Sequence, residues 1–227
     1  MVNGQPLSFD VTTVWRRNMI MRDRQTGTFW QHATGEALRG PLAGQRLEVL
    51  GGTQSTWAGW RDDYPESILS TAPDAPAGLM PKQVLSWMLK NIPSQAKTAG
   101  FTPLGQLLDA HAEVAGLTAA GAARAYPLDL LRREHQVNDS LGGQPFCLFF
   151  DPSSQQVRAF RRPEIVCGRP ELYLTGSTLT TSDGACRWDR SGRPLQANQP
   201  ELERVRVERQ WWLGWVEFHP GTSVYRG

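Results

Sequence analysis

The sequence predicts a mainly β fold, α+β by strict count, built from two pseudo-repeated β-rich units with short helices. Three observations lead to this prediction. Several short segments are rich in β-branched and aromatic residues and are bounded by Gly, Pro, Asp or Ser. The phrase WAGWRDDYP at residues 57–65 returns as WLGWVEFHP at residues 212–220. Helical spacing is confined to short segments.

The predicted strands are short and occur on both sides of a proline-rich stretch at residues 71–81. Their composition fits pleated, partly buried surfaces. Seven segments meet the criteria: LSFDVTTVW, NMIMRD, RLEVL, QPFCLFF, VRAF, ELYLTG and LERVRVE.

Two further segments predict helices. Residues 81–91, PKQVLSWMLKN, place a proline in a plausible first turn and apolar residues at helical spacing. The segment LDLLRREH follows Pro127 and predicts a second, shorter helix. We therefore divide the chain into a first β-rich unit at 1–70, a proline-rich linker with a helical connector at 71–110, and a second, diverged unit at 111–227.

The repetition has a constant offset of 155 residues, and with small gaps it relates residues 7–70 to residues 170–225. Six identities fall within 19 positions of this alignment. They pair Leu47 with Leu202, Glu48 with Glu203, Trp57 with Trp212, Gly59 with Gly214, Trp60 with Trp215, and Pro65 with Pro220. Upstream, allowing small gaps, Trp30 and Gly35 correspond to Trp188 and Gly192.

The tryptophans of the repeated phrase predict one short helix in each unit. Trp57 and Trp60 lie three residues apart, as do Trp212 and Trp215, so each pair shares a helix face. We interpret these four rings and Trp30 as aromatic anchors of the core. The alternative is a stacking platform for a ligand.

Composition excludes several functions. Lys and Arg number 24 against 22 Asp and Glu, and the charges are scattered, so we expect no nucleic-acid partner. No apolar run approaches the roughly 20 residues that span a bilayer, so we expect no membrane insertion. The N-terminus has no signal-peptide pattern, and the cell compartment stays open.

Three cysteines, Cys147, Cys167 and Cys186, form no C-x-x-C pair. We expect buried, unpaired thiols, with one disulfide plus one free thiol as the alternative.

Longer phrases carry a family resemblance. The segment NMIMRDRQTGTFWQHATGEALRGPLAGQRLEVL, followed by STWAGWRDDYPESILS, resembles the rear half of the bacterial and archaeal domain of unknown function 3179 family. The segment ARAYPLDLLRREHQVNDSLGGQPFCLFFDP resembles that family's front half, and residues 170–225 resemble its rear half again. The resemblance covers about four fifths of the chain.

The resemblance implies a soft metal or redox site in the front half, built from a histidine and two cysteines. This sequence departs from that pattern. Glu134 stands at the histidine position with His135 beside it, and Asp151 and Ser154 stand at the cysteine positions. We expect the second unit to have lost the site, and we therefore predict no cofactor and no metal in this chain.

The first unit resembles a rear half without a front half before it. Two explanations stay open: a protein of one and a half units, or an N-terminally truncated form of a longer protein. An orphan half would leave a sheet edge and an apolar face uncovered. A missing N-terminal segment is therefore a predicted partner, and in a longer form a metal is possible.

The resemblance also indicates a polar group beside Trp30, formed by Asp23, Arg24, Gln31 and His32. A turn bracketed by Asp23 and Gly27 explains the same residues without a ligand.

In the second unit, Asn138 and Asp139 precede the sequence SLGG. They predict either a turn in which Asn138 bonds the backbone or a polar site shared with His135.

Two functions follow from these observations. The first is a non-catalytic β-rich module with a binding or structural role and an unknown small ligand. The second is the C-terminal part of a metal-dependent or redox enzyme whose His/Cys site lies in a missing N-terminal segment. Enzyme activity stays open at this point.

Overall fold

The computed structural model describes residues 4–16, 18–48, 52, 54–69, 107–162 and 171–227. The predicted linker at 71–81, the predicted helix at 81–91 and Cys167 lie outside these residues. The described strands are β1 Phe9–Trp15, β2 Asn18–Asp23, β3 Phe29–Gln31, β4 Ala37–Arg39, β5 Glu113–Ala119, β6 Ala122–Pro127, β7 Gln136–Leu141, β8 Gln144–Asp151, β9 Gln156–Arg161, β10 Leu172–Thr175, β11 Thr178–Thr181, β12 Arg187–Asp189, β13 Arg204–Val205, β14 Glu208–Trp211 and β15 Ser223–Val224. The described helices are α1 Trp57–Asp63, α2 Leu128–Glu134 and α3 Trp212–Phe218. The prediction of a mainly β fold is confirmed.

The described strands form four sheets. Sheet I is the antiparallel meander β1-β2-β3-β4. Sheet II has the order β14-β5-β6-β15, sheet III the order β13-β9-β8-β7, and sheet IV the order β10-β11-β12. Sheet I comes only from the N-terminal part of the chain, and sheets II, III and IV come only from residues after 112.

Strand β8 lies between two apolar clusters. Phe146 and Leu148 belong to a cluster that also contains residues of sheet II and α2. Cys147 and Phe149, which point to the opposite face, belong to a cluster with residues of sheet IV. Because successive side chains of a strand alternate between faces, the continuous apolar run in this strand fills both clusters. Sheet III is therefore packed between sheets II and IV.

The hairpin β5–β6 was not among the predicted strands. Its sequence is rich in Ala and Gly, which have low β propensity, so composition gave no strand signal. Ala120 and Gly121 both have positive φ and connect the paired residues Ala119 and Ala122. A two-residue loop with this geometry matches the twist of an antiparallel hairpin.

Three sequence predictions of local structure need correction. Asn138 and Asp139 lie in β7 rather than in a turn, and the turn follows at Gly142 and Gly143. The predicted strand RLEVL is not a strand in its described part, where Arg46 makes only an isolated bridge with Glu36. The segment LERVRVE is divided between β13 and β14, which belong to different sheets.

The helices α1 and α3, which carry the repeated phrase, have matching local geometry. Each has seven residues, and each ends with a backbone bond from the C-cap N–H to the carbonyl of the second tryptophan, Trp60 or Trp215. The indole Nε1 of Trp60 donates to Ser67 at 2.8 Å, and that of Trp215 donates to Thr222 at 2.8 Å. No helix among the described residues has the length and apolar character needed to cross a bilayer.

A second match precedes the helices. The backbone N–H of Leu47 donates to the carbonyl of Gly35 at 2.8 Å. In the C-terminal part, the N–H of Leu202 donates to the carbonyl of Gly192 at 2.9 Å. The predicted repeat pairs both Leu47 with Leu202 and Gly35 with Gly192, so the same contact recurs at corresponding positions.

Candidate functional site

Asp23 is buried at the end of β2 and is fully engaged by neighbouring protein groups. Its carboxylate accepts hydrogen bonds from the Trp30 indole at 2.8 Å, from the Thr26 hydroxyl at 2.8 Å and from the Thr28 backbone at 3.1 Å. Burial by itself would raise the pKa of Asp23, but the hydrogen bonds from Trp30, Thr26 and Thr28 outweigh it and hold the pKa below its ordinary value. Asp23 therefore organises the turn that ends at Gly27.

The structure does not bring the polar residues of the first unit together. Gln31 pairs with Ile20, whereas Trp30 pairs with Met21, so Gln31 and Trp30 face opposite sides of sheet I. The Gln31 amide donates to the Trp15 carbonyl at 3.3 Å. His32 is exposed, and the exposed Arg24 donates to Asp10 on β1. These side chains do not form one site with Asp23.

Asn138 and Asp139 also point away from each other, because they are neighbours in β7. The Asn138 amide donates to the Leu172 carbonyl at 2.9 Å and accepts from the Leu172 N–H at 3.1 Å, which attaches β10 to β7. Asp139 accepts from the Tyr126 hydroxyl at 2.8 Å on the other side of sheet III. Neither side chain joins His135 in a polar site.

The residues at the family's predicted ligand positions do not fit a soft metal. Asp151 accepts from the Ser153 hydroxyl at 2.6 Å and from Arg190 at 2.9 Å, so its oxygens are already engaged. The Ser154 hydroxyl is a hard, neutral donor, and Glu134 is an exposed carboxylate. In the described part of the chain, no three His, Cys, Asp or Glu side chains are grouped so that they could hold a metal ion.

Both described cysteines are unpaired. Burial raises the pKa of the Cys147 thiol, so this side chain stays protonated in the core beside Phe149. Cys186 packs at the edge of the same cluster.

The aromatic anchors divide into two groups. Trp30, Trp212 and Trp215 are fully buried, as the sequence predicts. Trp57 is 49% exposed, although the repeat pairs it with Trp212, which is 0% exposed. The interpretation of Trp57 as a core anchor is therefore wrong, because no sheet covers its side of α1 in the described structure. Trp60 is only partly buried.

The difference arises from what each helix packs against. Trp215 lies on Gly116 of β5, where a side chain would overlap the indole ring. Helix α1 instead places Gly59 on Ser154 in the turn between β8 and β9, and the Thr56 N–H donates to the Ser154 carbonyl at 2.9 Å. The glycine side of α1 is thus covered, and the tryptophan side is open.

A polar contact that sequence reasoning missed holds α1 in this position. Asp63 at the end of the helix accepts from Gln156 at 3.0 Å and pairs with the buried guanidinium of Arg158. The residues are more than 90 positions apart. No local pattern in the sequence signals this pairing.

Sheet I also has an uncovered apolar side. We use the term open face for Val11 and Val14 of β1 and Met19 of β2, whose pairings place them on one side of the sheet. Val11 is 64% exposed and Val14 is 66% exposed. Met21 and Trp30 lie on the same side, and Leu7, Phe9, Leu42 and Leu47 pack in the same cluster, in which Trp30 is fully buried.

The predicted repeat relates this side of sheet I to a face of sheet IV that is covered. In sheet I, Val11 pairs with Met21, which pairs with Trp30. In sheet IV, Leu174 pairs with Leu179, which pairs with Trp188. The Leu174–Leu179–Trp188 row packs against Cys147, Phe149 and Phe160 of sheet III.

The open face and the tryptophan side of α1 are therefore the candidate interaction site of the chain. Apolar side chains exposed together on a folded protein are typical of interaction surfaces. Two arginines beside sheet I are already paired, since Arg16 binds Glu217 at 2.9 Å and Arg24 binds Asp10. The site can supply apolar contact area, and it contains no arrangement of acid, base and nucleophile.

One comparison with known proteins identifies the family that the resemblance indicated. Residues 1–222 match the family described as Protein of unknown function (DUF3179). No curated protein and no solved structure matches the chain.

Proposed function

The chain belongs to the DUF3179 family, and from this membership we propose that it acts as a non-catalytic, β-rich binding module built from a repeated unit. In this proposal the open face and the tryptophan side of α1 bind a second β-rich polypeptide. The observation that carries the proposal is the exposure of Trp57 at a position whose counterpart, Trp212, is buried against a sheet.

The matched contacts support the repeat. The Leu47–Gly35 and Leu202–Gly192 backbone bonds recur at aligned positions. The two tryptophan helices share their length and their indole-to-hydroxyl bond. Two copies of one unit with the same local contacts are expected to bury the same side, yet only the second copy does so.

The elements that cover sheet IV and α3 indicate which kind of polypeptide could cover sheet I and α1. Sheet IV is covered by the outward side chains of β8 and β9, and α3 is covered by β5 at Gly116. In each molecule these surfaces are already occupied by sheet IV and α3. We therefore propose that the partner is a separate β-rich segment with the pattern of residues 113–161. A segment preceding residue 1 in a longer form of the protein is one source of it.

No cofactor enters this proposal for the chain itself. The Asp151 carboxylate accepts hydrogen bonds from Ser153 and Arg190. The oxygen atoms of Ser154 and Glu134 at the other ligand positions are harder ligands than thiolate or imidazole. We propose that this is a degenerate form of the site that the family resemblance implies.

The same uncovered surface favours one second candidate function. If the covering segment carries an intact His/Cys site, the longer protein is a metal-dependent or redox enzyme, and this chain provides its scaffold. The two candidates differ in a measurable way. A binding module of residues 1–227 should retain no stoichiometric transition metal through dialysis and should turn over no substrate. The enzyme form should either retain such a metal or turn over a substrate.

The test supplies the proposed covering segment to the full chain. A second copy of residues 107–162 is fused before residue 1 through a long Gly/Ser linker. We expect slower amide exchange across Phe9–Trp15 and Trp57–Asp63, because covered backbone opens less often. The fluorescence contribution of Trp57, obtained by subtracting the Trp57→Phe spectrum, should move to shorter wavelength.

A matched control carries Gly116→Val in the fused copy alone. This side chain fills the space that an indole ring occupies above Gly116, so docking on α1 should be lost. Near-UV circular dichroism establishes that each fused copy has folded. Unchanged exchange and fluorescence with a folded, unsubstituted copy would contradict the proposal.

A further inference from the structure

A cavity of about 370 Å³ lies between the end of β8 and the β10–β11 hairpin, away from sheet I. Its apolar lining includes Phe149, Leu174 and Leu179, and its polar lining includes His135, Asp151 and Arg190. An apolar pocket of this size with a few polar groups in its lining is typical of small-molecule sites.

The walls of the cavity are fixed by contacts that do not depend on a ligand. Phe149 and Leu179 are buried members of the cluster between sheets III and IV. The Leu174 N–H donates to the Gln136 side chain at 2.7 Å, which holds β10 against β7. The cavity is therefore pre-formed, and a ligand would not need to order it.

The Asp151 carboxylate in the polar lining already accepts hydrogen bonds from the protein. One Asp151 oxygen accepts from the Ser153 N–H at 2.9 Å and hydroxyl at 2.6 Å, and the other accepts from Arg190 at 2.9 Å. Arg158, which also lines the cavity, is paired with Asp63. A ligand amine or hydroxyl would have to compete with these bonds for the Asp151 carboxylate.

The Arg190 guanidinium keeps the most hydrogen-bonding capacity, and it can only donate. Within the described residues, Arg190 spends one nitrogen on Asp151, and the remainder of its guanidinium makes no other hydrogen bond. The His135 imidazole makes none, and its ring is held at the cavity by stacking on Phe150 at 6.5 Å between centroids. A partner for the Arg190 guanidinium must accept hydrogen bonds, and a carboxylate matches it best. The His135 imidazole can add one donated hydrogen bond to the same carboxylate.

We infer that this cavity binds a small monocarboxylate, with its apolar body against Phe149, Leu174 and Leu179 and its carboxylate at Arg190 and His135. The inference does not depend on the interaction site of sheet I, and each can fail without the other.

Hexanoate is a suitable probe, with hexylamine and 1-hexanol as analogues of equal chain length. Titration of the full chain is followed by the backbone amide shifts of Phe149, Leu174 and Leu179 in ¹⁵N-correlated spectra. We expect hexanoate to bind about tenfold or more tightly than hexylamine, because a charge-assisted bond to Arg190 forms only with the acid.

Three substitutions and one control separate the contributions of the charge and of the cavity to binding. Arg190→Gln should remove the preference for hexanoate and leave 1-hexanol binding within about twofold, whereas Arg190→Lys should keep part of it. Leu174→Trp should weaken both ligands by filling the cavity. Arg187→Gln changes an exposed arginine on the same sheet that does not line the cavity, and it should leave every affinity unchanged.

The inference is overturned if hexanoate at tens of millimolar shifts none of the three amides. It is also overturned if Arg190→Gln retains the preference for the acid, or if Arg187→Gln reduces it equally. In either case the attraction would be a general effect of charge rather than this site.

Discussion

The Asp23 carboxylate and the Trp30 indole form a buried hydrogen bond of 2.8 Å that joins the end of β2 to the middle of β3. The two residues are seven positions apart, and the turn between them bonds to the same carboxylate. The only fully buried carboxylate in the described part of the chain therefore organises a hairpin.

Replacing Asp23 by Ala should destabilise the chain by about 3 kcal/mol, because the Trp30 indole and the Thr28 N–H lose their acceptor inside the protein. Chemical denaturation measures the change. Asp10→Ala is the matched control, since that carboxylate is exposed and pairs with exposed Arg24, and it should cost much less than Asp23→Ala. Equal losses in the two variants would argue against a structural role for Asp23.

The same carboxylate predicts a pH dependence. The folded-state pKa of Asp23 lies below its value of about 3.9 in unfolded chains, so its contribution is complete above that value. The contribution is lost as the pH falls through the lowered folded pKa. Asp23→Asn should therefore be less stable at pH 7 and should lose less stability than the parent between pH 5 and pH 2. A parallel decline in both proteins would show that other carboxylates dominate.

Trp57 and Trp212 offer a direct comparison of aligned positions. Trp212→Ala should cost about 3–5 kcal/mol, as expected for a buried aromatic ring. Trp57→Ala should cost less than about 1 kcal/mol, because half of that ring is exposed. Denaturation midpoints of the two variants measure the contrast. A large loss at Trp57 in the isolated chain would mean that α1 is already covered.

Gly59 and Gly214 also occupy aligned positions but face different neighbours. A Cβ atom at Gly59 would overlap the Ser154 side chain and lie 2.9 Å from the Ser154 Cα. Gly59→Ala should therefore destabilise the chain by about 2 kcal/mol, although alanine has the higher helix propensity. At Gly214 the nearest atom is the end of the flexible Gln210 side chain, at 3.0 Å. Gly214→Ala should therefore lie between neutral and about 1 kcal/mol stabilising. Thermal unfolding of both variants tests the packing of α1 on the β8–β9 turn, which equal shifts would contradict.

His135 adopts a left-handed conformation, with φ of 60°, at the C-cap of α2. Glycine tolerates this conformation and alanine does not, so His135→Gly should be more stable than His135→Ala by about 1 kcal/mol. The difference between the two variants removes the loss of the imidazole, which they share. Equilibrium unfolding in urea measures it, and an inverted order would mean that the helix end is remodelled.

The sequence by itself determined the family, the mainly β class and the short tryptophan helices. Alternating apolar runs and turn residues are local properties, so β1, β2, β8 and β9 could be identified without a structure. The phrase with Trp57 and Trp60 already contained the spacing that makes α1. Burial of Trp30, Trp212 and Trp215 followed from the same reasoning, because large apolar rings are usually covered.

The hairpin β5–β6 could not be predicted in this way. Its Ala and Gly residues have weak β propensity, and they are accommodated because the indole of Trp215 needs the space above Gly116. Asn138 and Asp139 have the composition of a turn, yet β7 places them in a strand where each bonds to a different element. Tertiary contacts outweighed local preference in both cases.

Only the tertiary structure decided which copy of the repeated phrase is covered. Trp57 and Trp212 stand in the same pattern of Trp, Gly and Pro residues, and the exposed fraction of each ring depends on whether a sheet lies opposite it. The cavity near Arg190 likewise joins side chains from strands and loops that are distant in the chain. Local sequence sets the shape of each element, whereas burial and binding depend on which distant element packs against it.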